Sequence, residues 1–137
     1  MVAEGASLPD VTTGYRSLAS IETDINNRFQ FGRSALGFYP MVLVTGGATQ
    51  ADSGVLGAGV WTAGTAKKMA AAFASNDANW AYGGVIGVGD VSVTTPITLT
   101  TLKVGSDQSS RYFNGHIKRL TYFPTRRTNA DLQVLST

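Results

Sequence analysis

Glycine recurs along almost the whole chain, sixteen times in 137 residues, between short runs of Val, Ile, Leu, Phe, Tyr and Thr. A residue without Cβ breaks long helices and permits tight turns wherever it falls at close intervals. Short strands punctuated by turns every ten residues or so describe an all-β sandwich or barrel. A chain of 137 residues is expected to form a single domain, residues 1–137, that buries roughly two thirds of its unfolded surface. Its 43% hydrophobic and 15% charged content exclude disorder, and its apolar runs are too interrupted for a membrane helix. The formal charge of +2 is too mild to imply nucleic acid. Cysteine is absent, which removes disulfides and thiolate metal sites. The first eight residues lack a basic segment followed by a long apolar run, so no signal peptide is expected; lysis or a larger parent chain would be the route out of a cell.

Alternation places several strands. Met1-Val2-Ala3-Glu4-Gly5 reads as the middle of a strand, ended by Pro9-Asp10. Over residues 15–21, Tyr15, Ser17, Ala19 and Ile21 share one phase, and over 28–31 Phe29 and Phe31 take the inner face. Residues 36–45 are apolar in both phases and suit a central strand, with Pro40 demanding a bulge or an edge. Gly46-Gly47 turns the chain, and residues 55–61 read as a further strand. Ile97-Thr98-Leu99 and Leu102-Lys103-Val104 alternate in opposite phases, which predicts a bulge at Thr100-Thr101. Asn114-Gly115 predicts a type I′ hairpin turn within residues 112–117. By propensity alone Lys67–Ala74 is helical. Thr128 followed by Asp131 approximates a capping box, with Leu132 and Leu135 on one side of a short helix that closes one end of the sandwich.

Leu102-Lys103-Val104-Gly105, Phe113-Asn114-Gly115-His116-Ile117-Lys118-Arg119-Leu120, Tyr122-Phe123-Pro124 and Asn129-Ala130-Asp131-Leu132-Gln133-Val134-Leu135 follow one pattern. It resembles the concanavalin A-like (laminin-G-like) jelly roll at the ends of phage tail and tail-fibre proteins. Ala70-Ala71-Ala72-Phe73, Asn76-Asp77 and Gly83-Gly84 fit its middle, and Gly14-Tyr15-Arg16, Leu18-Ala19-Ser20-Ile21 and Asn26-Asn27-Arg28 fit its early strands. The resemblance implies that Lys67–Ala74 is a strand despite its alanines. It implies an antiparallel β-sandwich of jelly-roll type with a short C-terminal helix. It further implies a non-enzymatic structural or adhesive role on a phage virion, in a tail, fibre or surface appendage. The implied partners are other virion subunits, in a homo-oligomer expected to be a trimer, and host-surface glycans. Arg127 stands where the pattern has an apolar residue, so the final helix is expected to pack differently. Met1 falls inside the first strand, as in a C-terminal piece of a longer virion protein or in a chain whose first strand is supplied or dispensed with in another way.

Chemistry is sparse on this frame. Glycosidases of the superfamily need two carboxyl groups flanking one bond. Only Glu4 and Glu22 are glutamates, and Glu22-Thr23-Asp24 runs into Ile25-Asn26-Asn27, which reads as a solvated turn. His116, the one histidine, reads as a surface residue at the hairpin turn. Asp77, Asp90 and Asp107 with Asn76 and Asn79 lack the dense acidic spacing of a calcium loop. No metal and no cofactor are expected. Gly46-Gly47 and Gly83-Gly84 lack the Gly-Lys-Ser/Thr ending of a phosphate loop. Asn76, Asp77, Asn79, Trp80 and Tyr82 form the candidate glycan site, rings for stacking and amide or carboxylate groups for hydroxyls; a core position or a subunit contact explains the two aromatics equally well. Lys103, Arg111, Lys118, Arg119, Arg126 and Arg127 make the last third basic. Alternation sends Lys118 and Arg119 to opposite faces, and Tyr122 and Phe123 are expected to pack rather than stand exposed among the cations, which reads as a solvated edge rather than a nucleic-acid surface. An acidic glycan or neighbouring subunit is the sharper reading of these charges. A carbohydrate-binding module of a secreted or cell-surface protein is the alternative function, and a glycoside hydrolase a third.

Overall fold

The computed structural model describes residues 1–7, 15–34, 37–53, 64–108 and 111–137. Within them the strands are β1 (Val2–Ser7), β2 (Arg16–Asp24), β3 (Asn27–Ser34), β4 (Gly37–Thr45), β5 (Ala48–Asp52), β6 (Lys67–Ala74), β7 (Asp77–Tyr82), β8 (Val85–Ile86), β9 (Thr101–Val104) and β10 (Gly115–Thr121), followed by helix α1 (Asn129–Leu135). Two five-stranded antiparallel sheets result, ordered β10-β1-β6-β7-β8 and β5-β4-β3-β2-β9. The expected strand over residues 55–61 and the break at Pro9-Asp10 lie outside the described residues.

Tight turns join neighbours within each sheet. Gly46 and Gly47 (φ 58° and 82°) link β4 to β5, and Gly83 and Gly84 (φ 55° and 76°) link β7 to β8. Positive φ at both central positions is what a type I′ turn requires. Asn114-Gly115 makes no such turn: neither residue has positive φ, and β10 pairs along its length with β1 instead. Six register pairs to a distant strand outweigh one local turn signal. Likewise Ile97-Thr98-Leu99 is no strand. Thr98 sits at φ 62°, and residues 87–100 cross one end of the sandwich. Asn76 N–H donates to Val93 O (2.9 Å), Thr45 Oγ1 to Thr94 O (2.7 Å) and Thr23 Oγ1 to Thr98 O, so the strap is pinned while buried Val93 plugs the core.

The core lies between the sheets. Phe29 and Phe31 face inward as alternation predicts, ring centroids 5.2 Å apart, and Phe73 stacks 4.9 Å from Phe29. Leu18, Met41, Leu43, Met69 and Trp80 complete it. Pro40 lies in β4 where the register against β3 slips between Gln30 and Gly32, so a bulge accommodates it. The common phase expected of Tyr15, Ser17, Ala19 and Ile21 fails for a similar reason. A register shift between Ser17 and Ala19 brings Leu18 into the core. Tyr15 lies instead over Gly32, where a Cβ would stand 2.3 Å from the phenol ring, with Arg111 at 5.0 Å.

Lys67–Ala74 is a strand, and its composition has a cause. Met69 and Ala71 enter the inter-sheet core, whereas Ala70 and Ala72 join Val2, Ala81 and Leu132 in a second cluster beneath α1. The helix covers the outer face of the first sheet, packing on β6, β7 and β8, rather than closing an end of the sandwich. The capping box is formed, with Asp131 N–H donating to Thr128 Oγ1 (3.1 Å) and Thr128 N–H to Asp131 Oδ2 (3.2 Å). Leu132, 1% exposed, anchors this face. Leu132→Ala should lower unfolding free energy by about 2–4 kcal/mol, read from the urea midpoint.

Candidate functional site

The expected glycan residues separate along β7. Ala78, Trp80 and Tyr82 face the core in strand period, and Trp80 is 6% exposed. A Cβ at Gly87 would stand 2.0 Å from Trp80 Nε1, so that glycine seats its backbone against the indole. Of the readings open for Trp80, the structure gives the core one, and its ring offers no face for stacking. Burial raises the Tyr82 phenol above its ordinary pKa. Asn79 is also buried, its Oδ1 accepting from Trp80 N–H at 2.8 Å. Asn76, at φ 56°, stays in the exposed turn, and Asp77 is held by Arg126 Nη2 at 2.6 Å. Arg126 also donates to Asn129 Oδ1 (2.8 Å), so Asp77 joins the segment that leads into α1, while Asn76 N–H is bonded to Val93 O of the strap.

Among the described residues, Glu22, Asp107, Asp24 and Asp90 are tied into the fold. Glu22 is not in a solvated turn: it is fully buried on β2, its Oε1 2.6 Å from Lys103 Nζ and its Oε2 accepting from Ser20 Oγ at 3.0 Å. Asp107, 5% exposed, meets Arg111 Nε at 2.9 Å and accepts from Gln30 Nε2 at 2.8 Å. Asp24 accepts from Asn26 N–H, Asp90 from Ser92 N–H, each at 2.8 Å. Buried carboxylates held by cations and amides in this way orient loops; glycoside hydrolysis needs two that face the substrate. His116 is exposed, but in β10, paired with Ala6, rather than at a turn.

A concave surface forms on the outer face of the first sheet. Here a β-bulge overturns the alternation argument. Glu4 pairs with Arg119 and Gly5 with Ile117, leaving Lys118 as an extra residue in the edge strand β10. Lys118 and Arg119 are therefore exposed in succession, and Lys118 Nζ reaches Glu4 Oε1 at 2.8 Å. Val2, Glu4, Lys68, Arg119 and Thr121 line a groove of about 240 Å³ against Phe123, Val134 and Leu135. Arg127, where an apolar residue was expected, stacks its guanidinium 4.3 Å above the Phe123 ring. Phe123 packs as expected, but Tyr122, beyond the end of β10, is 58% exposed. Sequence alternation missed this groove because the bulge is set by the partner strand; the doubled Lys-Arg on an edge was its one visible sign.

A second exposed surface follows the opposite sheet. β9 is an edge strand, with Leu102 and Val104 50% and 55% exposed and Ile97 82% exposed beside it in sequence. Its one charged side chain, Lys103, is turned back to Glu22.

Two measurements check these assignments. Trp80→Ala should cost about 3–5 kcal/mol of unfolding free energy, as removal of a core ring does. The Lys118 hydrogen bond, helped by the charges of Lys68 and Arg119, holds the Glu4 carboxyl below its ordinary pKa. Its folded value thus lies under the unfolded one, so its stabilisation is complete above the unfolded value and is lost as pH falls through the folded value. Glu4→Gln should therefore lose less stability than wild type when urea midpoints at about pH 6 and about pH 3 are compared. A scan against protein-family models finds no match to this chain, and a search of curated proteins finds none.

Proposed function

We propose that this chain is a non-enzymatic structural and adhesive domain of a phage virion. It sits on a tail, fibre or other surface appendage, assembles with other virion subunits and contacts host-surface glycans. The sequence resemblance supports the setting. The jelly-roll reading is supported by nested pairing: β1 joins β10 in one sheet while β2 joins β9 in the other. Between these pairs the chain runs β3-β4-β5 and then β6-β7-β8, so it wraps as a folded ribbon.

The observation that carries the assembly role is the character of β9. Edge strands of monomers are blunted by outward charges, bulges or covering segments. Here the only charge on Thr101–Val104 is tied inward to Glu22, and Leu102 and Val104 are left exposed on an edge. Apolar side chains gathered this way fit subunit contact. A carbohydrate-binding module is the second reading, favoured by the groove beside Arg119. Sedimentation velocity separates the two: the virion reading expects a trimer, reduced to monomer by Leu102→Asp combined with Val104→Asp with the circular dichroism spectrum unchanged. A wild-type chain that stays monomeric at micromolar concentration would overturn the assembly role.

A further inference from the structure

The groove between α1 and β10 collects more positive charge than it neutralises. Lys68, Lys118 and Arg119 surround one carboxylate, Glu4, which is bonded to Lys118. Lys68 Nζ donates to Thr137 O at 2.6 Å. Arg119 has no hydrogen bond or ion pair among the described residues, and its side chain is exposed at the groove wall. A guanidinium left unpaired beside a polar floor matches the planar geometry of a carboxylate. Across the groove stand Phe123, Leu135 and Val134, the last 73% exposed on a helix whose other side is buried. One wall is thus cationic, and the other carries Val134, Leu135 and Phe123, the last with Arg127 over its ring; Thr121 also lines the groove.

We propose that this groove binds an acidic glycan, with Arg119 pairing to a sugar carboxylate and the Phe123–Val134 wall covering the C–H face of the ring. The bulge in β10 is the device that makes the site, since regular alternation would turn one of the two cations away. A nucleic acid would call for a longer track of cations following successive phosphates. These cations instead converge at a pocket that α1 closes on the far side. A neutral sugar would offer Arg119 hydroxyl acceptors without the counter-charge of a carboxylate. The inference deepens the adhesive part of the proposed function and rests on it.

The test is calorimetric titration of the whole chain with a galacturonic acid oligosaccharide, a neutral galactose oligosaccharide of equal length, and a single-stranded oligonucleotide of matched charge. The acidic sugar should bind and the neutral one should not. Arg119→Ala should weaken binding about 10-fold or more, as loss of a charge-assisted pair does. Arg119→Lys should fall between, because it keeps the charge and loses the fork. Lys67→Ala, the same change in net charge outside the groove, should leave affinity unchanged. Equal weakening in Lys67→Ala, tighter binding of the oligonucleotide, or no effect of Arg119→Ala would overturn the site. Binding of the neutral sugar alone would overturn the acidic ligand while leaving the adhesive role standing, and absence of binding to all three would remove both. The assembly role is read separately, from sedimentation of the same samples.

Discussion

The double burial of β6 is the constraint on which the rest of the molecule depends. This strand carries the inter-sheet core on one face through Met69 and Ala71 and the helix on the other through Ala70 and Ala72. A strand covered on both faces cannot alternate apolar with polar. It must also leave room for α1, which its small side chains do. Larger residues at Ala70 or Ala72 would lift the helix from the sheet and take Leu132 out of its pocket. The helix in turn forms one wall of the groove, so packing beneath it sets the geometry above it.

A second constraint is the placement of charge. Glu22 on β2 and Asp107 in the loop after β9 are buried carboxylates, and each has a cation from the later part of the chain. Removing one partner from such a pair strands the other charge in a poorly solvated place. The Lys103–Glu22 pair thus ties β9 to β2, and the Gln30–Asp107 hydrogen bond ties the segment that follows β9 to β3. The ion pairs also use up Lys103 and Arg111, and Arg126 is used by Asp77. The basic character of the last third is for the most part internal pairing. Lys118 is used by Glu4, which leaves Arg119 on the bulged edge of the first sheet and Arg127 over the Phe123 ring.

Much of the architecture was legible in the sequence, and the errors have a common origin. Phe29 and Phe31 took the inner face because strand period is local. The Thr128–Asp131 box formed because its partners lie three residues apart. Lys67–Ala74 was legible only through the family resemblance, since alanine-rich propensity argued for helix and the helix above it was not visible. Asn114-Gly115 misled because a strong turn dipeptide competes with a distant strand that its neighbours cannot reveal. Trp80 was ambiguous from its own surroundings; Gly87, which seats its indole, lies across a hairpin. Glu22 looked solvated because Lys103, which neutralises it, is far along the chain.

Bulges explain the rest, and they bear on function. A sequence read at period two assigns every later residue of a strand by counting, so one extra residue reverses all that follow. The shift between Ser17 and Ala19 puts Leu18 in the core and Tyr15 outside it; the shift opposite Glu4 and Gly5 places Lys118 beside Arg119. The first repairs packing, since Leu18 becomes fully buried. The second has no such return, because it exposes two like charges side by side on an edge, where repulsion opposes it. Glu4 offsets one of those charges through its bond to Lys118 and acts on Arg119 only through space, with no hydrogen bond or ion pair to it. A local arrangement that costs stability and leaves a guanidinium free is accounted for if the second charge has its counterpart on another molecule.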